Sequence, residues 1–203
     1  AHVMGSNLKY SCCYWPAGVE DLEQAERAAL AVTVIRAGIE DGMRVLDLGC
    51  GWGSLSLWIA EHFPKASVTA VSNSTSQRDF IRGQAKQRSL HNVDVIVCDM
   101  NDFETDLQFD RVVSIEMFEH MRNYGELFRR IDRWLLPDGR FFMHVFCHRS
   151  TPYEYIDKGP GDWMSRHFFS GGIMPSAGLP LRFAENLSIV DRWHWNGQHY
   201  AET

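Results

Sequence analysis

Two stretches of this chain concentrate residue types able to bind a ligand and to react with it. In the first, Asp47-Leu48-Gly49-Cys50-Gly51-Trp52-Gly53, an apolar run passes into glycines at alternate positions. Glycine at that spacing suits a backbone that takes positive φ or lies against a ligand, and glycine-rich strand-to-helix turns are shared by many nucleotide sites. Asp47 narrows the choice. A carboxylate there takes an ammonium directly or through water and repels a pyrophosphate, which favours a sulfonium nucleoside over a dinucleotide. The bland alternative makes Asp47 a cap on the following helix. The second stretch is Glu116-Met117-Phe118-Glu119-His120, two carboxylates and an imidazole directly after an apolar run. If it turns helically, Glu116 and His120 are four apart and at least two of the three face one ligand. Methyl transfer from a sulfonium is an in-line displacement that needs positioning and, for an amine, a free lone pair. Glu116 and Glu119 would orient the ammonium form and His120 would take its proton. The alternative is a solvated first turn in which the helix dipole favours Glu.

Both stretches need a scaffold that brings loop ends together. Short apolar runs recur at 45–48, 68–71, 93–97, 111–115, 141–146 and 187–190, reading as buried strands. Helical patterns fill the gaps at 54–62, 76–89 and 124–136, the last ending at the turn Pro137-Asp138-Gly139. An amphipathic helix over 19–35, stopped near Gly38, precedes them. The alternation predicts an α/β fold of the Rossmann-like class: a mostly parallel sheet with helices on both faces and ligands beyond the carboxyl ends of the strands. Residues 148–176, rich in Gly, Pro and aromatics, break the rhythm and read as a cap insertion over the site. The second strand ends without an acid to hold a ribose, leaving Asn73 and Gln77 as polar substitutes. After the third, Asp99 can accept from an exocyclic amine while Met100 packs on a base.

Composition sets the class of partner. A formal charge of -6 argues against a nucleic-acid surface. Five cysteines without a CxxC pair suit reduced thiols in the cytoplasm, and no apolar run is long enough for a membrane span. Residues 1–8 are expected to be a tag remnant or disordered lead, with a single core over 9–203. His144 and His148 sit too far apart on a strand to share a metal, so no metal is expected. Most aromatics belong to the core, while Phe118 in the site loop and Trp163 in the cap are the candidates to wall a cationic or aromatic substrate.

The chain resembles the coclaurine N-methyltransferase group, a branch of the cyclopropane-fatty-acid-synthase-like methyltransferases of class I. Beyond the two stretches above, the resemblance is carried by Tyr10-Ser11-Cys12-Cys13-Tyr14, Asn123-Tyr124, His144-Val145-Phe146-Cys147-His148, Asp162-Trp163 and Asn196-Gly197-Gln198-His199-Tyr200. It implies S-adenosylmethionine as cofactor, contacted by Tyr10, Ser11, Gly49, Gly51, Gly53, Asn73, Gln77, Met100, Asn101 and Ile115. It also implies amine binding and proton handling by Glu116, Glu119 and His120. Its lipid-cyclopropanating branch holds a bicarbonate base on a cysteine, a glutamate, a histidine and a distant tyrosine, and Cys12, Glu119 and His144 match the first three. Glu116, where that branch has a small residue, favours the amine. The expected function is therefore methyl transfer to the nitrogen of a small amine, with lipid modification as the alternative. A small amine, with His144 also placed at the substrate, and at most a second copy of the chain are the expected partners. Members usually carry a helical region before Lys9 and continue beyond Tyr200, so the family's two terminal regions are expected to be missing here.

Overall fold

The computed structural model describes residues 4–183 and 185–203. Five strands, β1 (Arg44–Leu48), β2 (Ser67–Ser72), β3 (Val93–Val97), β4 (Phe109–Ile115) and β5 (Leu135–His144), form one sheet in the order β3-β2-β1-β4-β5. Every pairing in it is parallel. Side chains alternate across the pleat, so neighbours in one strand serve different cores. Leu46, Leu48 and Val112 face Leu127, Phe128, Ile131 and Trp134 of helix α4 (Tyr124–Trp134). Val45, Val68 and Val113 face Leu30 and Val34 of α1 (Leu22–Ala37) and Leu55 and Ile59 of α2 (Ser54–His62). Helix α3 (Thr75–Gln87) closes the far side with Ile81 and Ala85. The strands are thus covered on both faces, as a parallel sheet requires.

Local signals set most boundaries. Asp21 accepts the Gln24 N–H to start α1, and Gly38, at φ 62°, ends it. The turn expected at Pro137-Asp138-Gly139 lies inside β5 as an irregularity: Phe109 pairs with Leu135 and Arg111 with Arg140, so β5 carries the excess residues as a bulge. The strand expected over 187–190 does not form. Ile189 and Val190 are exposed, the latter by 74%, and among the described residues no strand pairs with this segment; an apolar run without a ladder partner has no sheet to join. The segment 148–176 contains a two-stranded antiparallel ribbon, β6 (Tyr153–Glu154) and β7 (Ile173–Met174), and the short helix α5 (Trp163–His167). A last short helix, α6 (Gln198–Glu202), follows. Of the expected lead, residues 1–3 lie outside the described residues, while Gly5 and Asn7 are held by hydrogen bonds. The buried Glu26 carboxylate accepts from the backbone N–H groups of Gly5, Asn7 and Lys9 and from the Asn7 side chain.

The strand order reverses between β1 and β4, so the loops leaving their carboxyl ends part there and open a crevice. Both chemistry-bearing stretches lie at that place.

Candidate functional site

The crevice is a cleft of about 460 Å³, within the range that holds a small organic ligand. Its floor is the loop after β1. Gly49 and Cys50 donate their N–H groups to Val71 O, tying the loop to the end of β2. The three glycines have different physical reasons. A Cβ on Gly49 would strike Met117 of the post-β4 loop, and one on Gly53 would strike Ile81 of α3, whereas one on Gly51 would project into open space. All three have positive φ. Asp47 is fully buried below this loop and accepts one hydrogen bond, from Ser56 Oγ at 2.6 Å. Burial pushes its carboxyl up to about 6, against the smaller opposing effect of Ser56. The helix cap is Gly53, with no side-chain bond, so Asp47 does not cap α2.

The far wall comes from the ends of β2 and β3. Gln77 Oε1 accepts from Ser72 Oγ at 2.6 Å, and Asn73 nearby is exposed. Asp99 lies at the rim with Oδ1 occupied by the backbone and side-chain N–H groups of Asn101, while Met100 is buried beneath. Arg130 of α4, itself buried, donates to the carbonyls of Met100 and Asn101 and stacks its guanidinium on Trp134 at 5.2 Å. A helix pattern alone gave no hint of that support.

On the other side, Glu116 leaves β4 with φ 52°, a left-handed conformation costing a side-chain-bearing residue roughly 1–2 kcal/mol. Three bonds hold it there: its N–H to His144 O, Cys12 N–H to its Oε1 at 3.0 Å, and the Tyr200 hydroxyl to its Oε2 at 3.3 Å. Only Phe118–His120 then turn, as a 3-10 helix. The expected four-residue helical face is therefore not built, and the two glutamates diverge. Glu116 and His120 line the cleft. Glu119 points behind it, accepting Phe146 N–H at 2.8 Å through Oε1, and its buried Oε2 has no partner among the described residues. Burial pushes its carboxyl up to about 8, with Glu116 adding to the effect. His120, exposed at the cleft, stacks on Phe169 at 5.0 Å, and partial desolvation of its ring lowers its pKa, so the imidazole is neutral near pH 7.

The fourth wall is the strap 8–11. Tyr10 and Ser11, implied by the resemblance, line the cleft there together with Lys9, a buried lysine that no sequence pattern marks. A lysine on a segment without periodicity gives no sign of burial. Trp52, Thr33 and Met121 also line the cleft unforeseen. The strap is clasped to α6, since Trp15 N–H bonds His199 Nδ1 and Cys13 N–H bonds Thr203 Oγ1.

A family model for mycolic acid cyclopropane synthetase matches residues 1–203. The chain belongs to this family. Among its relatives is the (S)-coclaurine N-methyltransferase of Thalictrum flavum subsp. glaucum, 41% identical over 201 residues, which cover 98% of this chain and 56% of the relative. The cyclopropane-fatty-acyl-phospholipid synthase of Escherichia coli K12 is 33% identical over 203 residues, 97% of this chain and 49% of that protein. The crystal structure of a coclaurine N-methyltransferase bound to N-methylheliamine and SAH superposes with a TM-score of 0.92 at 40% identity, covering 98% of this chain and 59% of that one. The chain spans little more than half the length of the coclaurine N-methyltransferase it matches. Its architecture is the class I methyltransferase fold of these structures, shared with mycolic acid cyclopropane synthase CmaA1 at a TM-score of 0.77.

Asp47, Gly49, Gly51, Asn73, Gln77, Asp99, Met100, Asn101 and Ile115 join Tyr10 and Ser11 in the one cleft, and Gly53 stands just outside it. The three residues expected at the substrate do not line it. Phe118 is fully buried in an aromatic cluster with Tyr124, Phe128 and Phe141, because an apolar side chain on the inward side of the 3-10 turn fills the core before it can wall a pocket. Trp163 is 54% exposed on α5, packed on His167 and Phe168 at the outer side of the cap. His144 ends β5 against the ring of Trp195 at 4.7 Å, and burial holds its imidazole neutral, down to about 3. His148 Nδ1 instead accepts the Thr151 N–H at 2.9 Å, and among the described residues no group of three His, Cys, Asp or Glu could hold a metal ion. No described helix is long and apolar enough to cross a membrane.

Proposed function

We propose that the chain is the core of an S-adenosylmethionine-dependent N-methyltransferase acting on a small amine in the cytoplasm. The observation that carries this is the meeting of Glu116 and His120 in a cleft whose floor holds the buried Asp47. The cleft fits the cofactor's chemistry. Asp47 would take its ammonium, Gly51 leaves room at the backbone, Gln77 and Asn73 would hold its ribose hydroxyls, and Asp99 with Met100 would suit its adenine. S-adenosylmethionine supplies an electrophilic methyl group on its sulfonium. Glu116, facing the same cleft, attracts the protonated amine and orients it, and neutral His120 takes the proton so that the nitrogen lone pair is free for in-line attack. Glu119 serves from behind, tying the post-β4 loop to Phe146 and retaining its own proton near pH 7. The identity to coclaurine N-methyltransferase and the superposition on one bound to N-methylheliamine and SAH support a secondary amine of that kind as the acceptor.

The bicarbonate-dependent lipid reading is less well served by the geometry. His144 turns to Trp195, and Glu116 already takes the Cys12 N–H and the Tyr200 hydroxyl, occupying groups that a bound anion would use. Incubation with methyl-labelled cofactor, a panel of secondary amines and a phospholipid extract separates the two. Label on an amine, independent of bicarbonate, is expected. Label on lipid that requires bicarbonate, with every amine left unlabelled, contradicts the proposal.

A further inference from the structure

Lys9 is the buried charge that the chemistry above leaves unused. It is 6% exposed, lies on the strap and lines the cleft. Its ammonium donates to Ser11 Oγ at 2.6 Å and to the Cys12 carbonyl at 2.5 Å. Burying an ammonium is costly unless opposite charge and hydrogen bonds compensate it. The groups around it are the Cys12 and Cys13 thiols of the strap, Glu26 of α1, Glu116 after β4 and the His144 imidazole at the end of β5. Glu26 is already committed to four donors, one of them Lys9's own backbone N–H. Glu116 is the carboxylate left to answer the Lys9 charge, and the two are also joined through covalent neighbours: Lys9 fixes the Cys12 carbonyl, and Cys12 N–H fixes Glu116.

We propose that Lys9 is a positioning residue for Glu116: its ammonium holds the Cys12 carbonyl and so locks the Ser11–Cys12 strap, keeping the Cys12 N–H on the Glu116 carboxyl that faces a cationic amine. This rests on the reading of Glu116 as the amine-facing group. The electrostatics agree in direction. Burial raises the Glu116 pKa, and Lys9 leads the opposing influences, followed by the Cys12 N–H and the Tyr200 hydroxyl. Burial lowers that of Lys9, and Glu116 leads the opposing influences there. Glu119, the remaining carboxyl near Glu116, points behind the cleft and its burial favours the protonated form, so it adds no negative charge beside Glu116 near pH 7. Without Lys9, Glu116 would keep its proton to higher pH and lose its hold on an ammonium.

The test is the Glu116 titration itself, read by carboxyl carbon NMR of glutamate-labelled protein with the signal assigned by its loss in Glu116→Gln. In Lys9→Met the carboxyl is expected to bind its proton about tenfold more tightly, as follows from losing a nearby opposite charge. The KM for the amine should rise with kcat less affected, and the acid limb of kcat/KM should move to higher pH. Lys9→Arg, which keeps the charge, should restore the limb. SAH binding is measured alongside by calorimetry. A folded Lys9→Met that loses SAH affinity while the Glu116 titration stays put marks Lys9 as a structural peg and overturns the proposal. If Lys9→Met does not fold, the reciprocal experiment decides: Glu116→Gln should weaken proton binding at the labelled Lys9 ammonium by about tenfold, and an unmoved lysine titration overturns the coupling. A shifted titration in a protein that methylates no amine supports the coupling and refutes the amine function instead.

Discussion

Replacing Asp47 by Asn tests the base of the cofactor cleft at a single atom pair. The carboxyl is buried, bonded only to Ser56 Oγ, and raised by burial to about 6. It is therefore ionised at pH 7.5, and a hydrogen bond from a ligand ammonium to it is charge-assisted, worth about 1.5–3 kcal/mol. Asp47→Asn keeps the shape and can still accept from Ser56, so the loss falls on the ligand: SAH affinity at pH 7.5 should drop about 10- to 150-fold. The wild-type affinity should also fall as pH decreases through 6, approaching about tenfold per pH unit, while the Asn variant stays flat. For the free protein the sign is opposite. The folded pKa lies above the ordinary carboxylate value, so Asp47 costs stability as pH rises from that value through about 6. Asp47→Asn should then melt no lower than wild type at pH 7.5. Calorimetric titration of SAH between pH 5 and 8, with melting curves, gives both readings. SAH binding within threefold of wild type at pH 7.5 would refute the assignment of Asp47 to the ammonium.

Three further outcomes follow from the same geometry. Glu119, raised by burial to about 8, should cost stability progressively between the ordinary glutamate range and pH 8, by at most about 1.4 kcal/mol per pH unit; Glu119→Gln should flatten that slope in denaturation series, and parallel slopes would contradict a buried neutral carboxyl. A Cβ at Gly172 would collide with the Glu119 carbonyl oxygen, so Gly172→Ala should push the cap off the site loop, lowering stability by about 1–3 kcal/mol and activity with it; an unchanged melting temperature would show that the cap yields freely. Arg130→Met should strip the Met100 and Asn101 carbonyls of their donor, cost about 1–3 kcal/mol and weaken SAH binding measured by calorimetry, whereas loss of stability with full SAH affinity would show that the post-β3 loop does not depend on Arg130.

What the sequence made legible was whatever a local pattern dictates. The glycines after β1 marked the floor of the cleft because positive φ and close approach are written in residue type, and Gly38 marked the end of α1 for the same reason. The runs at 45–48 and 68–71 became strands because neighbouring strands flank them on both sides, and the run at 93–97 did so by pairing with β2 at the sheet edge. The run at 187–190 has apolar character too but no strand partner among the described residues, which only the sheet's extent can reveal. Within the site, Glu116 and His120 were found together, but their separation from Glu119 comes from the left-handed turn at Glu116, a conformation imposed by Cys12 and Tyr200 from opposite ends of the chain. Phe118 illustrates the same limit: its neighbours in sequence suggest a pocket wall, and its neighbours in space make it core. Lys9 escaped notice because burial of a charge depends on contacts more than a hundred residues away.

The central claim, that this cleft methylates nitrogen with His120 as the base, is tested most directly by following label from S-adenosylmethionine onto a secondary amine with wild type and His120→Ala, with SAH binding measured on both. Wild type should label the amine nitrogen, and His120→Ala should lose about 100-fold or more in turnover while binding SAH as before. A variant that turns over at the wild-type rate, or a wild type that labels no amine, would contradict the account.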